Sequence, residues 1–234
     1  MLLNPYWLRP SPVGLSFGLR SAGINGSTFT SPATWAFGSS NFTAEGWIRN
    51  TGALDGQQNR IIRARSTSGQ QSGWEFACRP AGADPNVKIL RLLLRPVATS
   101  TTFDSPSFDM PEGTWCHIAV TVDRSGNAIF YVNGVSIGTA NVTAVVGGVG
   151  FATPCRLLDS ISADGDEFRV WNVIRTPTEI AANAFSALPS PLTQTGLIGY
   201  FKCDEGSGTT TTDSTASAIV VTLDSNTTFV AGPP

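Results

Sequence analysis

The carboxylates grouped around Gly165 are the residues of this chain whose types and spacing come nearest to acid–base chemistry. A glycoside hydrolase needs two carboxyl groups that face each other across a cleft. On a strand, Asp164 and Asp166 would share one face and Glu167 would lie on the opposite face. The glycine between them favours a turn, so we expect no catalytic pair here. The sequence predicts a protein that is not an enzyme.

The same aspartates are candidate metal ligands. Calcium takes several oxygen ligands, usually including carboxylates. Asp164 and Asp166 beside the glycine would supply two of them. Asp204 and Asp213, which flank a glycine-rich loop, would supply others. Because aspartates in turns more often bind their own backbone, we expect no required cofactor and keep calcium at Asp164 and Asp166 as the alternative.

Nucleophilic chemistry has weak candidates. The single histidine, His117, lies within a predicted strand, and the chain has no Gly-x-Ser-x-Gly motif. The cysteines are too widely spaced for the close pairs of a zinc site. They are either free, buried side chains or partners in one or two disulfides formed in an oxidising medium. The four cysteines are Cys78, Cys116, Cys155 and Cys203.

Aromatic side chains offer two candidate binding surfaces. Most of the six tryptophans alternate with polar residues in predicted strands and are expected in the core. Trp35, in a loop, is the best candidate for an exposed ring that binds a glycan. Residues 1–14 contain three prolines and are predicted to form an extended arm. Its Tyr6, Trp7 and Leu8 would dock onto another protein, the alternative being a frayed terminus.

Composition excludes some classes of partner. The 234-residue chain has a net charge of −2, and its basic residues are scattered, so we expect no nucleic acid partner. No run of about eighteen apolar residues is present, so we expect no membrane span. A hydrophobic content of 41 % argues against disorder. Frequent glycine and proline with only 14 % charged residues is typical of short strands joined by turns.

Period-two alternation predicts the elements that must position these residues. The most secure segment is a three-strand meander over 114–138, in which Asn133 and Gly134 form a two-residue hairpin turn. Further strands are predicted at 60–65, 73–79 and 87–95. One short helix is expected near 177–186, because a threonine cap, a proline and a glutamate precede it.

Four ordered motifs resemble the laminin-G-like, concanavalin A-like jelly-roll family. They are residues 42–48 (FTAEGWI), 115–121 (WCHIAVT) with 130–135 (FYVNGV), 166–172 (DEFRVWN) and 199–208 (GYFKCDEGSG). The resemblance implies an all-β, two-sheet antiparallel jelly-roll sandwich over residues 15–234. It also implies binding of glycans or proteins, and a packing role for the histidine. The carboxylate pattern of the family's glycosidases is not found.

The leading functional hypothesis is a non-enzymatic virion accessory protein, a bacteriophage capsid decoration or tail-associated protein. The chain begins without a recognisable secretion signal, and residues 1–14 would dock it onto other virion structural proteins. We expect it to be a homo-oligomer or part of a large assembly, with a host-surface glycan as a further partner. The alternatives are a secreted, extracellular lectin-like module and, less favoured, a glycosidase of the same fold.

Overall fold

The computed structural model describes residues 18–23, 27–30, 35–51, 59–65, 72–96, 99–150, 154–159 and 161–233. These residues form an all-β fold with one short helix, α1 (Pro177–Asn183). The strands are β1 Gly18–Gly23, β2 Ser27–Thr30, β3 Phe42–Asn50, β4 Arg60–Arg65, β5 Gly73–Pro80, β6 Val87–Arg95, β7 Thr101–Asp104, β8 Phe108–Asp109, β9 Trp115–Val122, β10 Asn127–Val132, β11 Val135–Asn141, β12 Pro154–Asp159, β13 Ile161–Trp171, β14 Leu197–Phe201, β15 Thr210–Thr212, β16 Val220–Thr222 and β17 Thr227–Val230.

The strands form two antiparallel sheets, which confirms the predicted jelly-roll sandwich. Sheet I has the order β11-β10-β9-β3-β13-β1-β17, and β14 also pairs with β13. Sheet II has the order β15-β16-β2-β12-β4-β5-β6-β7, and β8 also pairs with β6. Strands that are distant in the chain are therefore neighbours, for example β3 and β13 in the middle of sheet I.

Alternating apolar residues build the core between the sheets. In β6, Leu90, Leu92 and Leu94 are completely buried, while the residues between them are half-buried. In β9, Ile118 and Val120 are buried against them in the same core cluster. The period of two arises because successive strand side chains point to opposite faces.

Sheet I is also covered on its outer face, around α1. Ile180 of the helix packs against Ala119 and Tyr131 in a second small apolar cluster. Thr176 caps the helix in a capping box with Glu179, as the sequence predicted. Because of this cover, polar residues on the outer face of sheet I are buried as well, and they need partners within the protein.

The predicted turn around Gly165 is wrong, because the segment lies inside the eleven-residue strand β13. A bulge shifts the register between Asp166 and Arg169, and Glu167 has a φ of 52°. A Cβ atom on Gly165 would lie 2.5 Å from the Phe168 ring and 2.9 Å from Leu158. The glycine is therefore explained by close packing in a strand.

Candidate functional site

A cleft of about 850 Å³, here called the rim cleft, lies at one end of sheet I. Strands β3, β9 and β13 are antiparallel neighbours, so the start of β3 meets the ends of β9 and β13 at this end. The loop after β11 closes the cleft. Its lining residues are Ser39, Ser40, Asn41, Arg124, Ser125, Thr143, Val145, Val146, Gly147, Asn172, Val173 and Ile174.

Hydrogen bonds between the loops hold the rim cleft in shape. The backbones of Gly38 and Val149 exchange two hydrogen bonds of 2.9 and 2.8 Å. The amide of Arg124 donates to Asn41 Oδ1 at 2.8 Å. The loops are thus joined to one another, which favours a site that is formed before a ligand arrives.

Among the described residues that line the rim cleft, Arg124 is the only charged one. Its side chain is 9 % exposed, and Nη2 donates to the carbonyl oxygens of Val145 and Gly147, both at 2.9 Å. Its Nε and Nη1 atoms are buried and have no hydrogen-bond partner. Burial lowers the pKa of Arg124, and no carboxylate in the described part of the chain offsets that effect.

The rest of the lining combines polar and apolar groups. Ser39, Ser40 and Asn172 bring hydroxyl and amide groups to the cleft. Val146 is 83 % exposed and Ile174 is 39 % exposed, so apolar surface faces solvent beside them. Small-molecule sites typically combine apolar surface with a few polar groups that orient the ligand. The described lining contains no aspartate or glutamate, so the cleft offers no carboxyl pair for glycoside hydrolysis.

The prediction that Trp35 is an exposed ring is wrong. Its side chain is 1 % exposed, and the indole packs edge-on to Phe201 with the ring centres 6.3 Å apart. The Nε1 atom donates to the carbonyl of Ile198 at 3.2 Å. Trp74 of β5 also packs against the indole, with the ring centres 6.4 Å apart, so two strands that are remote from this loop in sequence enclose it. Trp35 therefore belongs to the core.

Asp164 binds two arginines, Arg20 and Arg49, that line a second cleft of about 420 Å³ at the other end of sheet I. The Asp164 side chain is completely buried. Its Oδ1 accepts from Arg20 Nε at 2.7 Å, and its Oδ2 accepts from Arg49 Nε at 2.7 Å. Both oxygens are thus occupied by guanidinium groups. A calcium ion would have to compete with two arginines for this carboxylate.

Asp166 is also buried, but it lacks a basic partner at hydrogen-bond distance. Its Oδ1 accepts from the amide of Glu167 at 2.9 Å, and its Oδ2 is buried without a partner. Of the other predicted calcium ligands, Asp204 is exposed. Asp213 Oδ1 accepts hydrogen bonds from the amides of Tyr200 and Thr215. Within the described residues no three His, Cys, Asp or Glu side chains are grouped to hold a metal. Calcium binding stays a prediction.

The single histidine has the structural role that the sequence favoured. His117 is completely buried, its Nε2 lies 3.2 Å from Glu45 Oε2, and Trp47 packs edge-on against the ring. Burial by itself raises the pKa of Glu45, but the close approach of His117 and the charge of Arg169 outweigh it, and the pKa lies below its ordinary value.

The remaining predictions concern the cysteines, the arm and the membrane. All four cysteines are free and buried, which confirms the prediction of free, buried side chains over that of disulfides. Tyr6, Trp7 and Leu8 lie outside the described residues. In the part of the chain that is described, no helix has the length and apolar character needed to cross a membrane.

Sequence reasoning missed the rim cleft. Arg124 stands in a short turn between two strands, where an arginine is usually solvated. No sequence signal marks it, because its isolation depends on the loop after β11, which folds over its side chain.

Comparison with solved structures shows the same fold. A Bacteroides ovatus protein to which carbohydrate binding is ascribed is 19 % identical, with a TM-score of 0.67 over 95 % of this chain and 62 % of its own. The heptameric SAP-like pentraxin of Limulus polyphemus is 13 % identical, with a TM-score of 0.60 over 90 % of this chain and 96 % of its own. The botulinum neurotoxin serotype G binding domain is 17 % identical, with a TM-score of 0.51 over 74 % of this chain and 45 % of its own.

Comparison of the sequence with known proteins and families gives one match, to a family model. No curated protein matches the chain. A family model described as the concanavalin A-like lectin/glucanases superfamily matches residues 22–181. That span is more than half of the chain, and it contains the first three of the four sequence motifs. The two-sheet jelly roll and the matched residues together show that this chain belongs to the concanavalin A-like lectin/glucanase superfamily.

Proposed function

We propose that this chain is a non-enzymatic binding module that holds a carbohydrate in the rim cleft. The observation that carries the proposal is the lining of the cleft, where hydroxyl and amide groups lie beside the exposed apolar surface of Val146 and Ile174. A sugar ring carries hydroxyl groups around its edge and C–H groups on its faces. It could therefore contact both the polar and the apolar surface of the cleft. The volume of about 850 Å³ lies within the range of small-molecule sites.

The comparisons support the proposal at the level of fold. Carbohydrate binding is ascribed to the Bacteroides ovatus protein, of which this chain spans 62 %. Because one fold hosts many functions, the argument for this chain rests on its own cleft. Binding is favoured over hydrolysis because the described lining has no carboxyl pair.

A glycan array probed with the purified full chain tests the proposal, and titration calorimetry then measures the affinity of the best binder. Ile174→Ala removes an apolar contact of the cleft and should weaken binding by about tenfold. Leu192→Ala is the matched control, since Leu192 is an exposed aliphatic residue that does not line the cleft. An array without binders, or equal losses in both variants, would count against a carbohydrate site in the rim cleft.

The glycosidase alternative has a direct test. Incubation of the protein with the oligosaccharides that it binds should release no shorter products. Hydrolysis that disappears in Asp164→Asn or Asp166→Asn would favour the enzyme over the binding module.

We further propose a bacteriophage particle as the setting of this module, with an extracellular lectin-like module as the alternative. Support comes from the sequence, where residues 1–14 carry Tyr6, Trp7 and Leu8 in a proline-rich segment suited to docking. Deletion of residues 1–14 should abolish association with particles and leave glycan binding intact. Unchanged association would contradict the docking role, and sedimentation of the full chain tests for the expected oligomer.

A further inference from the structure

The positive charge of Arg124 bears on the charge of the ligand that the rim cleft binds. We infer that the cleft selects ligands that carry an anionic group, a carboxylate or a sulfate, and that Arg124 is the residue that selects them. The inference rests on the proposed function, which names a carbohydrate as the ligand, and it adds that this ligand carries a negative charge. An acidic sugar and a free inorganic anion both offer an anionic group of this kind.

Arg124 differs from the other buried arginines of the described structure. The other four form ion pairs with carboxylates at distances between 2.5 and 3.0 Å. Arg124 instead donates only to two backbone carbonyl oxygens, through one of its three nitrogens. The buried arginines are Arg60, Arg63, Arg124, Arg169 and Arg175.

An unpaired buried charge is costly, because the group has lost water without gaining a counter-charge. The Nε and Nη1 atoms of Arg124 are buried without hydrogen-bond partners. An anion bound in the cleft that Arg124 lines would supply the missing counter-charge. The fold of this protein thus leaves a positive charge without a carboxylate partner at the lining of the rim cleft.

The surroundings of the cleft reinforce this selection. No described lining residue is acidic, and Ser39, Ser40 and Asn172 can donate hydrogen bonds to an anion. The acidic residue next to Arg124 in the sequence, Asp123, is half-buried and does not line the cleft. Its carboxylate accepts hydrogen bonds from the amide and hydroxyl of Ser125, at 2.9 and 2.7 Å. The Asp123 carboxylate is thus bound within its own turn, and it forms no ion pair with Arg124 in the described structure.

The test uses the full chain labelled with ¹⁵N and two matched pairs of probes. Sodium sulfate is compared with sodium chloride at constant ionic strength, and glucuronate is compared with glucose. Sulfate and glucuronate should give saturable shifts of the backbone amides of Arg124, Ser125 and Gly147. Glucose should bind about tenfold more weakly than glucuronate, as expected for the loss of a charge-assisted interaction.

Substitutions at two positions separate charge from fold. Arg124→Gln should lose the preference for the anionic probes, while Arg91→Gln, which removes an arginine from the surface of sheet II, should keep it. Val146→Glu places a carboxylate at the mouth of the cleft and should abolish sulfate binding, while Val146→Gln should preserve it. Because Val146 is exposed, this second pair tests the inference even if Arg124→Gln does not fold.

The outcomes distinguish the inference from the proposed function. Binding of neutral sugars in the cleft without preference for the anionic partner would overturn the inference and leave the carbohydrate site standing. Saturable sulfate shifts without binding of any sugar would support the anion site and overturn the carbohydrate ligand. Equal effects of sulfate and chloride, with no sugar binding, would overturn both.

Discussion

Asp166 is a buried carboxyl group whose surroundings oppose its ionisation. Burial is the largest cause, followed by the neighbouring charge of Glu167, and together they raise the pKa of Asp166 well above its ordinary value. Asp164, two residues away, is buried to the same degree but has two arginine partners. Two aspartates on one strand thus have different electrostatic roles, which depend on the side chains that the neighbouring strands bring to them.

We expect Asp166→Asn to remove a pH dependence from the stability. In the unfolded chain the carboxyl group loses its proton near the ordinary aspartate pKa of about 3.9. The native state keeps the proton to a higher pH. Between the two pKa values the native state binds more protons, so a rise in pH lowers the free energy of unfolding. As pH rises above the ordinary aspartate pKa, the wild type should therefore lose stability relative to the variant.

Urea unfolding of both proteins at several pH values measures this difference. Titrating groups that do not interact with Asp166 contribute equally to the two proteins and cancel in the comparison. A difference in free energy of unfolding that stays constant between acid and neutral pH would contradict a raised pKa at Asp166.

At the scale of elements, α1 shows how a short helix is held in place. Its seven residues form too short a helix to be stable alone, so packing and capping must supply the stability. Thr176 Oγ1 accepts from the amide of Glu179 at 3.2 Å, and Glu179 Oε2 accepts from the amide of Thr176 at 2.7 Å. Ile180 then anchors the helix on the outer face of sheet I.

Thr176→Ala should lower the free energy of unfolding by about 1 kcal/mol, because the first turn loses its side-chain cap. Thr178→Ala is the matched control, since Thr178 is exposed in the same turn and takes no part in the capping box. Urea unfolding followed by circular dichroism measures both variants. Equal stability of the two variants would show that packing alone holds the helix.

At the scale of the whole molecule, the sandwich is large enough to bury its core without covalent cross-links. The four cysteines are free, and each is buried in the core between the sheets. Burial raises the pKa of both Cys78 and Cys116 to about 12. Thiolate is the reactive form of cysteine, so these side chains act as small apolar residues.

A thiol-specific reagent at mildly alkaline pH should leave all four cysteines unmodified in the native protein and modify all four in denaturant. The reason is that native thiols are both inaccessible and protonated. Mass spectrometry counts the modified residues, and a reducing agent should leave the melting temperature unchanged. Fewer than four reactive thiols in unreduced, denatured protein would reveal a disulfide.

Much of the fold could be predicted from local sequence patterns. Strands β4 and β6 have the predicted bounds, because each is a short segment rich in aliphatic residues that ends at an arginine. The hairpin turn was predicted from Asn133 and Gly134, which have φ values of 49° and 77°. The edge strands β15 and β17 were missed, since short threonine-rich segments carry little alternation.

The sequence by itself therefore determined the class of fold, the meander and the helix cap, because each depends on backbone geometry over a few residues. The tertiary structure decided the binding chemistry. It buried Trp35 beside Phe201 and paired Asp164 with two arginines, and it left Arg124 without a carboxylate partner. Exposure and charge pairing depend on which distant strands and loops fold together, and a pattern within one segment carries no information about that.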